Sequence, residues 1–329
     1  MNLGFIGAAL RNILLALLLF ATVAPWGSPW CRFLEMPSGF RPHLTIFGLA
    51  MLFIHLAAWQ SGERRPQVQA GVVASAAIVV LNFALVAVCF VPRPTVMPTE
   101  THSLKLLTFN VLHDNPQKAE TIAYVRKQDP DVAVFLEATS KWPEALAPLK
   151  QSYPHHLPVQ VTDFEIYSKY PIIDHELHFY GDYRGFLTMT LDVHGSAVSV
   201  TAFHAYPTLY FGKRSFDLRN EQLMEFAEAC STIKTPHIAL GDFNVDRWSP
   251  YFLNMLETSH MKDARNGAGV LASHSLKRTA TSFHLIGRPI DTCLMSKGVR
   301  CEQIRTGPFL GSDHLPIIAE FAVSVIEEE

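Results

Sequence analysis

At 329 residues, 49% of them hydrophobic, with a formal charge of −3, the chain is long enough for more than one structural unit. Its 27 lysines and arginines do not outnumber its 30 acidic residues, so the composition lacks the basic surplus expected of a duplex-binding surface. Five scattered cysteines give neither a zinc-ligand spacing nor an even disulfide set, although Cys293 and Cys301 would be able to pair if their strands were neighbours.

Charge is scarce up to about Pro98 and frequent after it. Three apolar runs, Asn12 to Trp30, His43 to Trp59 and Val68 to Val91, are each near the roughly 20 residues that cross a hydrocarbon core. Trp26, Trp30 and Trp59 stand at run ends, where indole rings favour the membrane interface. The alternative for the first run is a signal peptide cleaved after Ala-Thr-Val-Ala. Two further runs follow it, and Pro25 would sit just past the cut, so three spans are expected. Flanking arginines are evenly split, with Arg11, Arg64 and Arg65 on one side and Arg32, Arg41 and Arg93 on the other. The Arg64-Arg65 pair in a short loop favours an inside N-terminus, which puts the C-terminal domain on the non-cytoplasmic side. Residues 92–103 follow as a linker in which Pro92 to Thr99, with three prolines in eight residues, reads as a stiff spacer.

Residues 104–323 suffice for one large domain, and 324–329 form an acidic tail. From residue 100 onward 21 basic residues face 28 acidic ones, a formal −7. Leu104 to Phe109 is a β-prone run, and Asn115-Pro116 reads as the start of a helix reaching about Gln128. Strands are expected over Val132 to Leu136, Phe164 to Ser168, Phe186 to Val193 and Val198 to Phe203, the last two turned by His194-Gly195. Ser215 to Ile233 carries one apolar helical face. His237 to Leu240 is a strand, Ser249-Pro250 opens a helix, and Ile290 to Met295, Cys301 to Arg305 and Leu315 to Val323 are strands. The mixture predicts an α/β domain of layered sheets with helices outside, preceded by an all-α membrane region.

The polar residues that matter fall at strand ends: Asn110, Glu137, His204, Asp242 and the pair Asp313-His314. Singly, an Asn or Asp there is turn chemistry, a Glu a solvated acid and a His a satisfied imidazole. Together, inside the tetrads Gly241-Asp242-Phe243-Asn244 and Gly311-Ser312-Asp313-His314, they are the groups that hold a hard divalent cation, orient a water and stabilise a phosphoryl group.

Order and wording resemble the endonuclease/exonuclease/phosphatase superfamily from Leu104 to about Val323. The resemblance rests on Leu-Leu-Thr-Phe-Asn at 106–110, Asp-Val-Ala-Val-Phe-Leu-Glu at 131–137, Tyr-Ser-Lys-Tyr-Pro-Ile at 167–172, Phe-His at 203–204, Ile-Asp at 290–291 and the two tetrads, the second extending to Leu315-Pro316. Trp248-Ser249-Pro250, with Arg219 and Gln222 in the preceding helix, is similar to the membrane-anchored bacterial branch. The resemblance implies a four-layer α/β sandwich, two packed mixed sheets flanked by helices. It implies that Glu137, Asn110 and Asp313 hold magnesium or manganese, that Asp242 activates water and Asn244 donates to the phosphoryl oxygens. His314, fixed by Asp291, and His204 would then act at the phosphate. Leu112 stands where nuclease members often carry another acid or amide, with His113 and Asp114 beside it, and the Pro-Ala-Trp-Cys-Asp-Arg signature of inositol 5-phosphatases is absent. Arg184, Tyr206 and Lys213 are candidates for the substrate mouth.

The expected activity is metal-dependent hydrolysis of a phosphoric ester, on a lipid-linked or small phosphorylated substrate near the bilayer. An extracytoplasmic nuclease is the alternative, disfavoured by the acidic domain, and a non-catalytic membrane scaffold is the third reading.

Overall fold

The computed structural model of the protein describes residues 3–92, 97, 100–159, 161–181, 184–208 and 212–325. Most of the expected proline-rich spacer (93–96, 98 and 99) and the end of the acidic tail (326–329) lie outside them. The chain divides into two compact units, Met1–Val91 with Asp246–Pro250, and Pro92–Val245 with Tyr251–Glu329.

The first unit holds three long helices, α1 (Leu3–Val23), α2 (Arg41–Gln60) and α3 (Pro66–Ala87), all long and apolar enough to cross a membrane. The first begins earlier and ends sooner than the apolar run from Asn12 to Trp30. Pro25 lacks the amide hydrogen an α-helix needs, and Ala24–Gly27 tightens into a 3-10 turn. At the other end Arg11 is carried inside the helix and forms an ion pair with Glu63 at 3.2 Å. Buried polar groups pair inside this unit: Arg41 donates to Thr22 O at 2.7 Å and to Asn82 Oδ1 at 2.9 Å. Trp248 Nε1 donates to Leu85 O at 3.1 Å, and Ser249 Oγ to Glu35 Oε1, within the same unit.

The second unit is built on two six-stranded mixed sheets. The first contains β1 (Thr101–Asn110), β2 (Val132–Leu136), β3 (His155–Val159), β4 (Phe164–Ser168), β11 (Val299–Thr306) and β12 (Ile317–Ser324), in the order β11-β12-β1-β2-β4-β3. The second contains β5 (Ile172–Gly181), β6 (Arg184–Val193), β7 (Ser196–His204), β8 (His237–Asp242), β9 (Lys262–Asp263) and β10 (Asp291–Met295), in the order β5-β6-β7-β8-β10-β9. Side chains alternate between sheet faces with period two, so Leu106, Val134, Ile166, Leu187, Val200, Leu240 and Ile317 meet in one core between the sheets. Their neighbours Leu107, Phe109 and Phe135 point outward onto Val125 of α4 (Lys118–Gln128) and Trp142 of α5 (Trp142–Leu146). Phe203, Ala239 and Leu294 do likewise against Leu223 and Phe226 of α6 (Gly212–Thr232) and Phe252 of α7 (Pro250–Ser259). This is the expected four-layer sandwich, and burial on both faces explains why its central strands are continuous apolar runs.

Several boundaries differ from the sequence reading. β1 starts at Thr101, where Thr101 to Ser103 pair with Ser324 to Ala322, so the linker is shorter and the tail begins later than expected. Asn115 does not cap α4; its Nδ2 donates to Val111 O and Leu310 O, and the helix opens at Lys118. Cys293 and Cys301 are free thiols on strands of different sheets.

Each sheet has one parallel pair, β1 with β2 and β7 with β8, bridged through α4 and α6 respectively. Parallel strands end together, so their carboxyl ends deliver Asn110, Glu137, His204 and Asp242 as groups.

Candidate active site

Sheet register sets the first part of the site. His204 pairs with Asp242 across the parallel β7/β8 ladder, and Asp291 pairs with Asp242 across the antiparallel β8/β10 ladder. Gly241 is needed just before, because its φ is +144° and a Cβ there would stand 2.0 Å from Phe203 O. Chain reversal after Asp242 puts Asn244 in the left-handed region (φ 49°), which Asn tolerates well, and its amide N donates to Asp242 Oδ1 at 2.9 Å.

Asp242 is buried where four polar partners meet. Its Oδ2 accepts from Asn244 Nδ2 at 3.2 Å and Asn110 Nδ2 at 3.3 Å, and lies 3.6 Å from His314 Nε2 and 3.9 Å from His204 Nε2. Burial pushes the Asp242 carboxyl up to about 6; the Asp291 charge adds to the shift, while His314 and His204 oppose it. Asn244 Nδ2 also donates to Ala205 O, and its carbonyl accepts from Arg219 Nη1 at 3.0 Å, so α6 braces this turn.

His314 is held through the other nitrogen. Its Nδ1 meets Asp291 Oδ2 at 2.8 Å, which leaves Nε2 facing Asp242. Burial alone would lower the imidazole, but Asp291 and Asp242 outweigh it and push His314 up to about 10. Ser312 of the same tetrad donates from Oγ to Asn110 O at 2.7 Å and accepts from His314 N at 3.0 Å, tying the β1 end to the imidazole.

Glu137 follows β2 with a positive φ of 55°. Its Oε1 accepts from Asn110 Nδ2 at 3.2 Å, with His204 Nε2 at 3.9 Å and Arg184 Nη2 at 4.0 Å. Burial raises this carboxyl, yet the charges of His204, Arg184 and His314 outweigh it and hold it below the usual carboxylate range. An ionised carboxylate beside the Asn110 amide fits a hard divalent cation, provided the amide oxygen turns inward where its nitrogen now lies. Asp313 is half-buried and clusters with His274 and His314, one potential ligand atom from each lying within 4.8 Å of the others. Leu112 adopts φ 59° and donates its N to Asn110 Oδ1; exposed His113 reaches 3.8 Å from Glu137 Oε2.

Three contributors escaped the sequence reading. Asp163 accepts from His204 Nδ1 at 2.7 Å and from Arg184 Nη1 at 2.8 Å, so His204 has an orienting carboxylate as His314 does. Burial raises Asp163, but His204 and Arg184 bring it below the usual range. Ser273 accepts from Asp291 N with Oγ at 3.1 Å, and its carbonyl accepts from Leu315 N. His274 lies with its ring 4.7 Å from that of His314; burial, followed by the positive charges of His314 and Arg288, holds it well below the usual histidine range. Of the mouth candidates, Arg184 belongs to the centre and Tyr206 N donates to Gln222 of α6, whereas Lys213 pairs with Asp217 on an exposed helix face. A cavity of about 700 Å³ opens beside Glu137, Asp163 and Arg184, with Lys150, His156 and Phe164 farther along its wall.

Two imidazoles, each backed by a carboxylate, thus flank a buried acid and two side-chain amides. The sequence also matches the model of the Endonuclease/Exonuclease/phosphatase family over residues 107–314. The chain belongs to this family. Endonuclease/exonuclease/phosphatase proteins are metal-dependent hydrolases of phosphoric esters, which makes the protein a hydrolase of that class. No curated protein matches the sequence. Among solved structures of this fold, sphingomyelinase C from Streptomyces griseocarneus is 21% identical with a TM-score of 0.51, covering 67% of this chain and 99% of its own. Beta toxin from Staphylococcus aureus with bound magnesium ions is 19% identical, with a TM-score of 0.52 over 68% of this chain and all (100%) of its own. An endonuclease/exonuclease/phosphatase from Bacteroides vulgatus is 17% identical, with a TM-score of 0.53 over 68% of this chain and 100% of its own.

Proposed function

We propose that the protein is a membrane-anchored, magnesium-dependent hydrolase that cleaves a lipid-linked or small phosphorylated substrate by in-line attack of water. The observation that carries the mechanism is the position of Asp242, buried within 4 Å of Asn110, Asn244, His204 and His314. Bound magnesium, or manganese, would polarise the phosphoryl group, with Glu137, Asn110 and Asp313 as its protein ligands. Asp242 takes the proton of the attacking water, being a carboxylate whose pKa lies close to neutrality. Asn244 Nδ2 donates to a phosphoryl oxygen, giving up its bond to Asp242 Oδ2 to do so. His314, kept cationic by Asp291, offers its Nε2 proton to the charge developing on the phosphate or leaving oxygen. His204, oriented by Asp163, supplies the second imidazole from the opposite side.

The membrane supports the substrate assignment. Three helices fit for crossing a bilayer would tether the catalytic unit to lipid, and the formal −7 of the remaining chain works against a polyanionic duplex. The cavity beside Glu137 has room for a headgroup-sized moiety. The Arg64-Arg65 loop favours a non-cytoplasmic catalytic unit.

The test is hydrolysis by full-length protein in detergent, assayed on a chromogenic phosphodiester and a monoester. Magnesium is expected to support turnover and EDTA to remove it, with Asp242→Ala inactive. Turnover by Asp242→Ala, or turnover indifferent to EDTA, overturns the mechanism.

A further inference from the structure

The cluster of His274, Asp313 and His314 shares Asp313 with the oxygen ligands proposed to hold magnesium and adds two imidazoles, of which His274 has no part in the proposed reaction. Its backbone is pinned, His274 N donating to Arg288 O at 3.0 Å and Arg288 N to His274 O at 2.9 Å, while Ser275 N donates to Asp313 O at 2.8 Å. Isolated β-bridges to Arg288 and His314 therefore hold the imidazole against the second tetrad. The ring is buried, and its Nδ1 has no hydrogen-bond partner. A buried nitrogen left without a partner costs free energy, so it calls for an explanation that packing does not give.

We propose that His274, Asp313 and His314 form a second cation site, specific for borderline-soft divalent ions of the zinc and cobalt class, and that filling it switches the enzyme off. Two imidazoles and one carboxylate suit such ions, whereas magnesium prefers an all-oxygen shell. In a tetrahedral shell, ligand atoms about 2.1 Å from a common ion stand about 3.4 Å apart. The three potential ligand atoms lie within 4.8 Å of one another, so binding draws them together by up to about 1.4 Å. Asp291 on His314 Nδ1 completes the carboxylate–histidine–metal arrangement that fixes a ligating ring and makes it more basic. Half-buried Asp313 provides the route in from solvent. The inhibitory effect rests on the proposed role of His314 Nε2 at the phosphate, since an ion bound there withdraws that nitrogen; the binding itself does not rest on it.

Cobalt(II) reports the site optically. Full-length protein in detergent, with magnesium in large excess, is titrated with cobalt and followed by d–d absorption. The expected result is one equivalent bound by wild type, with affinity lowered more than about tenfold in both His274→Gln and His274→Ala. In parallel, zinc should inhibit magnesium-supported hydrolysis by wild type at concentrations at least about tenfold below those needed for His274→Gln. X-ray absorption of zinc-loaded wild type needs no variant and should show imidazole scattering from two rings. Equal cobalt binding in wild type and folded His274 variants overturns the proposal, as does an oxygen-only zinc shell or no cobalt binding over magnesium. Zinc binding at these residues without inhibition keeps the site and overturns its regulatory role.

Discussion

Removing the charge of Asp242 while keeping its shape isolates the proton-transfer step. Asp242→Asn can still accept from Asn244 N, so folding should be retained while kcat falls by about 10²–10⁴-fold. A loss below tenfold would reassign the base. Two opposed shifts shape the pH profile of the wild type. Asp242, raised to about 6, works only when ionised, so kcat/KM should climb as pH rises through about 6. His314, raised to about 10, donates only when protonated, so activity should fade as pH rises through about 10. The negative charge of Asp291 raises both groups; Asp291→Asn should therefore move both limbs of the profile to lower pH, and limbs that stay in place would contradict the coupling. Asp163→Ala leaves His204 without its orienting partner and Arg184 without its carboxylate, and should lower kcat by about 10²-fold together with a lower melting temperature. Asp242, Asn244, Asp313 and His314 were legible because they sit in compact tetrads. Asp163 was not, because it stands in a loop before β4 with no motif around it and meets His204 only across the two sheets. His274 was hidden similarly, between two serines in a polar stretch that reaches the site through isolated β-bridges to Arg288 and His314.

The elements that carry the centre are the two parallel pairs, and their close approach is most exacting at Gly241. An alanine there would need φ near +144° and would drive its Cβ into Phe203 O, so Gly241→Ala should destabilise the fold by about 1–3 kcal/mol. Chemical denaturation measures this directly, and an unchanged midpoint would mean that the β7/β8 ladder is not closed as described. Central strands such as β2 and β8 were readable because both faces are buried, giving unbroken apolar runs. β5 was missed for the converse reason: as an edge strand it exposes Asp174, His175 and Glu176 and carries no apolar pattern. β3 is also an edge strand and includes Pro158, which reads against a strand anywhere but an edge. The short helix α8 (Ala280–Ile286) has a capping box at Thr279 and Ser282, too short a signal to stand out from the turn residues around it.

At the scale of the whole molecule, three apolar helices and a metal-dependent phosphoesterase unit share one chain, and that pairing is what directs the proposed activity to lipid. An alkaline phosphatase reporter fused after Glu329 should be active in cells, as expected for a C-terminus outside the cytoplasm; an inactive phosphatase fusion alongside a fluorescent cytoplasmic one would reverse the orientation. The most direct test compares substrates with one preparation. Full-length protein in liposomes of mixed phospholipids, or with supercoiled plasmid DNA, is assayed in magnesium, with EDTA and Asp242→Asn as controls. The predicted result is magnesium-dependent release of phosphate or phosphorylated headgroup from lipid, lost in both controls. Plasmid nicking that disappears in Asp242→Asn, with no release from any lipid, would contradict it.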